Sequence, residues 1–179
     1  GIIEESPVDA SQPWIEETLL KAVETALDSL IAMRSAEGKS IEEDFMCRLN
    51  RLEELVDRID PIAAGLPDVM RDRMYEKLKN ADFGIELDDE RLLKELVIYS
   101  DKSDVTEELI RLRSHFAQFH EFIRTDHPQA GRSLDFLVQE IFREITTLGN
   151  KASCSEITPL VVAFKSELEK IREQVQNIE

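Results

Sequence analysis

Three sets of polar residues recur at helical spacing in the second half of the chain, and their types suit work on a metal ion or a phosphate. Glu108, Arg111 and His115 lie three and four residues apart, so a helix would present them on one face. Arg132, Asp135, Gln139 and Arg143 form a second stripe, with Glu140 and Glu144 beside it. Lys165, Glu169, Arg172 and Gln176 form a third. Carboxylates one turn apart, as Glu140 and Glu144 are, offer oxygen ligands to a hard divalent cation, with water completing the shell. Imidazole titrates near neutral pH, which makes His115 a candidate for proton transfer. The guanidinium forks of Arg111, Arg132 and Arg143 match the oxygens of a phosphate. The plainer reading of each stripe is a solvated face laced with ion pairs. It is also the reading for His120 and His127, which lie near a helix end and a proline. There is no Gly-rich phosphate loop, metalloprotease His-Glu pair or nucleophile elbow.

The elements that must position these residues are helices. Leu19, Val23, Ala26, Leu30 and Met33 step by four and three, and Gly38 follows as a residue suited to ending a helix. Ser40 and Glu43 make a capping box for a second series, Ile41, Phe45, Leu49, Leu52, Val56 and Ile59, which Pro61 should stop. The expectation is an antiparallel hairpin of two helices. Between 61 and 87, Pro61, Gly65, Pro67 and the Asp82-Phe83-Gly84 turn leave room for one short helix around Val69, Met70, Met74 and Leu78. Another short helix is expected from Asp88 to Tyr99.

Asp104 and Glu107 then cap a helix whose stripe is Val105, Leu109, Leu112, Phe116, Phe119 and Ile123, ending near Asp126-His127-Pro128. Gln129 to Arg132 reads as a loop. The next stripe is Leu134, Leu137, Ile141, Ile145 and Leu148, ended by Gly149. Ser155 or Thr158 caps the last helix, whose seam runs Ile157, Val161, Phe164, Leu168, Ile171, Val175 and Ile178. No strand-like alternation competes. The fold class is all-α: long antiparallel hairpins, elongated, with coiled-coil-like packing. Residues 1–100 should hold the acidic hairpin and short helices, and 101–179 the polar stripes, as one continuous unit.

Composition narrows the partners. The 179 residues carry 22 Lys+Arg against 38 Asp+Glu, a formal charge of -16, which opposes a generic coat for nucleic acid or anionic membrane. Residues 1–100 hold 12 basic against 24 acidic side chains, and 101–179 hold 10 against 14, so an anionic partner is favoured in the later part. Two cysteines, Cys47 and Cys154, make no disulfide framework or zinc motif and fit a reducing cytoplasm. No run of 18 apolar residues occurs, and the sequence does not open on a basic-then-apolar segment.

The wording of the motifs is more specific than their spacing. Asp101-Lys102-Ser103-Asp104-Val105-Thr106-Glu107-Glu108-Leu109-Ile110-Arg111-Leu112-Arg113-Ser114-His115 resembles a signature of the bacterial YicC/YloC family. Gly131-Arg132-Ser133-Leu134-Asp135-Phe136-Leu137-Val138-Gln139-Glu140 is similar to its second block, followed by Arg143-Glu144 and Thr147-Leu148-Gly149-Asn150-Lys151. The segment Lys165 to Glu179 is similar to its C-terminus, and Arg34-Ser35-Ala36-Glu37-Gly38 to its Arg-x-x-Glu-Gly element. The resemblance runs over essentially the whole chain but only part of the family's length. Gly1-Ile2-Ile3 resembles the junction after a β-containing N-terminal domain, so that domain is expected to be missing here.

The resemblance implies a cytoplasmic, metal-dependent endoribonuclease, oligomeric and hexameric at full length, with a part in small-RNA turnover and in stress or stationary-phase adaptation. For that activity the residue types and spacing, not the family label, offer Glu108, His115, Glu140 and Glu144 as the expected catalytic residues. Asp135, Glu140 and Glu144 are the expected ligands of Mn²⁺ or Mg²⁺. Arg111, Arg132, Gln139, Arg143, Lys151 and Arg172 are the expected RNA contacts. Phe142, Thr146 and Asn150 depart from the family's usual residues; Phe142 and Thr146 replace asparagines, and the loss of those two amides, which donate and accept at once, should weaken RNA or metal contacts. The rival expectation is a non-catalytic helical module for oligomerisation or for an adaptor of RNA-decay machinery. It needs nothing of Glu140 or His115.

Overall fold

The computed structural model describes residues 13–80, 90–125 and 130–178. They form five helices: α1 Pro13–Asn80, α2 Glu90–Ser103, α3 Thr106–Arg124, α4 Ala130–Ala152 and α5 Ile157–Val175. No strand occurs among the described residues, so the chain is all-α as its periodicity requires. None of these helices is long and apolar enough to cross a membrane.

The expected hairpin at Gly38 is corrected by α1, a single 68-residue helix that runs through Gly38, Pro61, Gly65 and Pro67. A helix passes through glycine at a cost of about 1 kcal/mol, less than neighbouring strong helix formers can supply. Both prolines lie on exposed positions, so their rings meet solvent and not a neighbouring helix; the carbonyls they leave without a donor are those of Asp57 and Ala63. Beyond Pro61 the helix also goes on burying apolar side chains, Ala63 and Leu66. The expected Asp82-Phe83-Gly84 turn and Asp126-His127-Pro128 stop lie outside the described residues.

The chain divides into two compact units between Glu43 and Asp44. In the first, the side chains expected to pack across a hairpin (Leu19, Val23, Leu30 and Met33) are exposed. The second is a bundle of the later part of α1 with α3, α4 and α5. Residues from both sides of position 100 build its core. From α1 come Phe45, Leu49, Leu52, Val56, Ile59, Ala63 and Leu66, buried at strict four-three steps. α3 adds Leu109, Leu112, Phe116 and Phe119, with Val105 just before it. α4 adds Leu134, Leu137, Ile141, Ile145 and Leu148, and α5 adds Ile157, Phe164, Leu168 and Ile171. The ring of Phe45 meets Phe119 edge to face at 5.7 Å, which locks α1 to α3.

Polar contacts fix the directions. Lys151, late in α4, reaches Glu108, early in α3, so those two helices are antiparallel. Gly131 and Gly149 sit beside Ile178 and Val161 respectively, so α4 and α5 are antiparallel too. Gly149 therefore does not end α4 as its sequence context suggests. A Cβ there would come within 3.1 Å of Val161, so glycine permits close approach of α5. The left-handed residue that follows α4 is instead Ser153, at φ 39°.

Candidate active site between α3 and α4

Antiparallel pairing turns two separate polar stripes into one surface. Ascending α3, Glu108, Arg111 and His115 meet Lys151, Glu144 and Glu140 in reverse order on α4. Lys151 Nζ lies 2.8 Å from Glu108 Oε1, and Arg111 lies 3.6 Å from Glu144 Oε1. His115, Glu140 and Glu144 each bring one ligand atom to within 4.8 Å of the others. Glu144 is buried at 3% exposure, while His115 and Glu140 are half-buried.

Two features of this surface stand out electrostatically. The imidazole Nδ1 of His115 is buried without a hydrogen-bond partner. Neither carboxylate has a short cationic partner: Glu140 is 3.5 Å from Arg143, and Arg111 makes its closer bond, 3.0 Å, to Glu107. Two carboxylates and an imidazole so close together could hold a divalent cation, whose charge would relieve the repulsion between the carboxylates.

The base of the surface is held firmly. Lys151 donates to Glu108 and to the backbone carbonyl of Asp104 at 3.1 Å. Its ammonium is held above the ordinary lysine range, chiefly by the bond to Glu108 and further by the charges of Glu107 and Asp104. Asp104 accepts from the backbone N–H of Thr106 at 2.8 Å, and bonds from the Thr106 side chain and backbone keep its carboxyl below the usual range. The second oxygen of Glu108, Oε2, is buried without a partner.

Other expected site residues lie elsewhere. Asp135 accepts a hydrogen bond from Gln139 at 2.8 Å and is not in the converging set; His115 stands where Asp135 was expected as a third donor. Arg132 precedes Glu140 by eight residues, about 12 Å along the helix, and is exposed. Arg172 pairs with Glu169 at 3.2 Å on α5. Phe142 is turned from the Glu140 face by its two-residue offset, and Lys165 lies over its ring at 5.1 Å. His120 bonds to Glu53 at 3.0 Å. The grouping of His115 with Glu140 and Glu144 has no signal in linear spacing, because it depends on the α3–α4 register.

Comparison with known proteins adds a family. The C-terminal family described as endoribonuclease YicC-like matches residues 59–179. A "Probable endoribonuclease YicC" of Clostridioides difficile (strain 630) is 42% identical over 178 residues, covering 99% of this chain and 60% of that protein. A protein of the same name from Haemophilus influenzae (strain ATCC 51907 / DSM 11121 / KW20 / Rd) is 31% identical over 182 residues, covering 100% of this chain and 61% of that protein. The chain thus spans about three fifths of the length of these curated relatives.

Proposed function

This chain belongs to the YicC-like endoribonuclease family, and on that premise we propose that it cleaves RNA phosphodiester bonds on the α3–α4 surface, with a divalent metal ion held by His115, Glu140 and Glu144. The convergence of those three donors within 4.8 Å carries the reading. A nitrogen donor among carboxylates favours Mn²⁺ over Mg²⁺, which takes oxygen ligands almost exclusively. When bound, such an ion supplies Lewis acidity against the charge that builds on the phosphate.

The chain's own residues do the rest. Arg111, half-exposed beside Glu144, positions an RNA phosphate through its guanidinium fork, and Arg143 offers a second cation next to Glu140. With His115 committed as a ligand, Glu108 is the remaining carboxylate proposed for proton transfer, two turns before His115 on α3, with one oxygen fixed by Lys151 and the other buried without a partner. The same base serves an attacking water or the RNA's own 2′-hydroxyl, and a 2′,3′-cyclic phosphate on the product identifies the latter.

This reading carries its wider setting with it: a cytoplasmic homo-oligomer, hexameric at full length, acting with RNA-decay machinery in small-RNA turnover under stress. The exposed Leu19, Val23 and Leu30 of the first unit support assembly, since an interface would bury them. The rival adaptor reading draws on the charge of -16, which opposes RNA except where cations are concentrated locally.

The test is cleavage of a structured RNA by the purified chain with Mn²⁺, abolished by EDTA. Glu144→Gln and His115→Ala should each lower the rate by at least about a hundredfold while circular dichroism stays unchanged. Unaltered rates in both would remove the metal assignment. Absence of cleavage with every divalent ion leaves the adaptor reading in place.

A further inference from the structure

Two cavities meet at Tyr99. One, of about 390 Å³, lies where the ends of α2 and α4 approach each other and is bordered by Tyr99, Lys102, Thr147, Asn150 and Lys151. The other, of about 670 Å³, opens between the C-terminal part of α1 and the middle of α2, with Arg71, Arg73, Tyr75, Lys77, Val97 and Tyr99 in its wall. Thr147 is one turn beyond Glu144 on α4, and Lys151 is the ion-pair partner of Glu108. The smaller cavity is therefore the continuation of the α3–α4 surface, and the larger one continues it past Tyr99.

Among the described residues, the lining of these cavities is more basic than the molecule as a whole. In a chain with a formal charge of -16, their described residues include Arg71, Arg73, Lys77, Lys102 and Lys151 against a single acid, Asp68. Arg71 is tied to Asp68 at 3.0 Å and to Asp72 at 3.3 Å. Lys151 is tied to Glu108. Arg73, Lys77 and Lys102 make no ion pair or hydrogen bond among the described residues, so three cations remain to meet an anion. Between them lie flat or pliable apolar surfaces: Tyr75, Tyr99 and Met74. Cations that track a backbone, interleaved with aromatic faces, suit unpaired nucleotides, whose bases can leave their stack and lie on a side chain. A duplex keeps its bases stacked on each other and cannot use the rings.

We propose that Tyr99 is a base-stacking residue at the junction of a track that carries single-stranded RNA from the α1–α2 cavity past Lys102 and Lys151 to the α3–α4 surface. The inference rests on the RNA reading above and deepens it, by naming an unpaired segment as the substrate form and the path it takes. Arg73 and Lys77 grip the backbone on the far side of Tyr99, and Lys102 on the near side. The ring at position 99 separates the two stretches.

The experiment is binding of a fluorescein-labelled, uncleavable 2′-O-methyl single strand to the 179-residue chain in EDTA, followed by anisotropy at several salt concentrations. Tyr99→Leu should weaken binding about tenfold, while Tyr99→Phe, which keeps the ring, should bind like the unaltered chain. Lys77→Glu and Lys102→Glu should each weaken binding and flatten its salt dependence. A duplex of the same sequence should bind less tightly and be indifferent to Tyr99→Leu. Equal affinity of Tyr99→Leu and the unaltered chain would overturn the track, as would a loss in Tyr99→Phe as large as in Tyr99→Leu. So would no binding at all, or a Tyr99→Leu change in mass by light scattering, which would make the patch a contact between copies. Binding through Tyr99 without cleavage under any metal would leave the track standing and sink the nuclease reading. Cleavage with Tyr99-independent binding would do the reverse.

Discussion

Glu144 and Glu167 are both buried glutamates of the same helical bundle, and they have opposite surroundings. Glu167, on α5, receives Arg48 at 2.7 Å, Lys170 at 2.9 Å and Arg51 at 3.4 Å. Burial alone pushes its carboxyl upward, but the hydrogen bonds from Lys170 and Arg48, with their charges, outweigh that and hold it below the usual range. Arg48 is held in turn by Asp44 at 2.7 Å, and its guanidinium is raised chiefly by that bond. Glu144 is the more deeply buried, at 3% against 9%, yet its nearest cation is 3.6 Å away and its close neighbours are a second carboxylate and an imidazole. A saturated carboxylate joins helices α1 and α5. Glu144, with Arg111 at 3.6 Å and Glu140 and His115 as close neighbours, is the carboxylate on which the proposed metal site rests. Burial is common to the two glutamates; the cations around them are what differ.

The contrast can be broken in three ways. The largest effect should come from the missing charge. Mn²⁺ at about a hundred times its dissociation constant should stabilise the folded chain by about 2.7 kcal/mol, seen as a rise in melting temperature. His115→Ala should abolish that rise and Glu167→Gln should keep it; a rise of equal size in His115→Ala would place the ion elsewhere. Next, Glu167→Gln should cost about 2 kcal/mol in urea denaturation through its charge-assisted bonds, and leave RNA cleavage unchanged. Glu144→Gln, which removes one of two crowded carboxylates, should show no loss in the same denaturation. Equal losses would mean that the two glutamates are alike after all.

The smallest effect is in acid. Glu167 and Asp104 both have folded pKa values below their unfolded ones, so the unfolded chain binds more protons. Their stabilisation is complete above the ordinary carboxylate range and drains away as pH falls through the lowered folded values. The urea midpoint should decline below about pH 5, and less steeply in Glu167→Gln than in the unaltered chain. Parallel slopes would show that the bonds to Glu167 contribute nothing to the pH dependence.

Much of this protein is written in local pattern. The seams of α3, α4 and α5 follow from apolar steps of three and four, because a helix places those positions on one side whatever its neighbours are. The same periodicity put Glu108, Arg111 and His115 on one face, and Glu140 with Glu144 on another. Motif wording, rather than physics, pointed to the family, and the comparisons bear it out. Punctuation was the weaker guide. Gly38 and Pro61 look like ends, but each is a penalty of only about 1 to 3 kcal/mol, and a helix that goes on to bury Ala63 and Leu66 can absorb it.

Which polar faces would meet belonged to the tertiary structure alone. Asp135 and His115 are equally plausible partners for Glu140 along the chain. Antiparallel α3 and α4, brought to register by their interlocked seams, place the imidazole beside both carboxylates and leave Asp135 with Gln139. Helix periodicity is a property of neighbours a few residues apart, whereas register is settled by how buried side chains on different helices fit. The first can be read from the amino-acid order, and the second exists only once the bundle is packed.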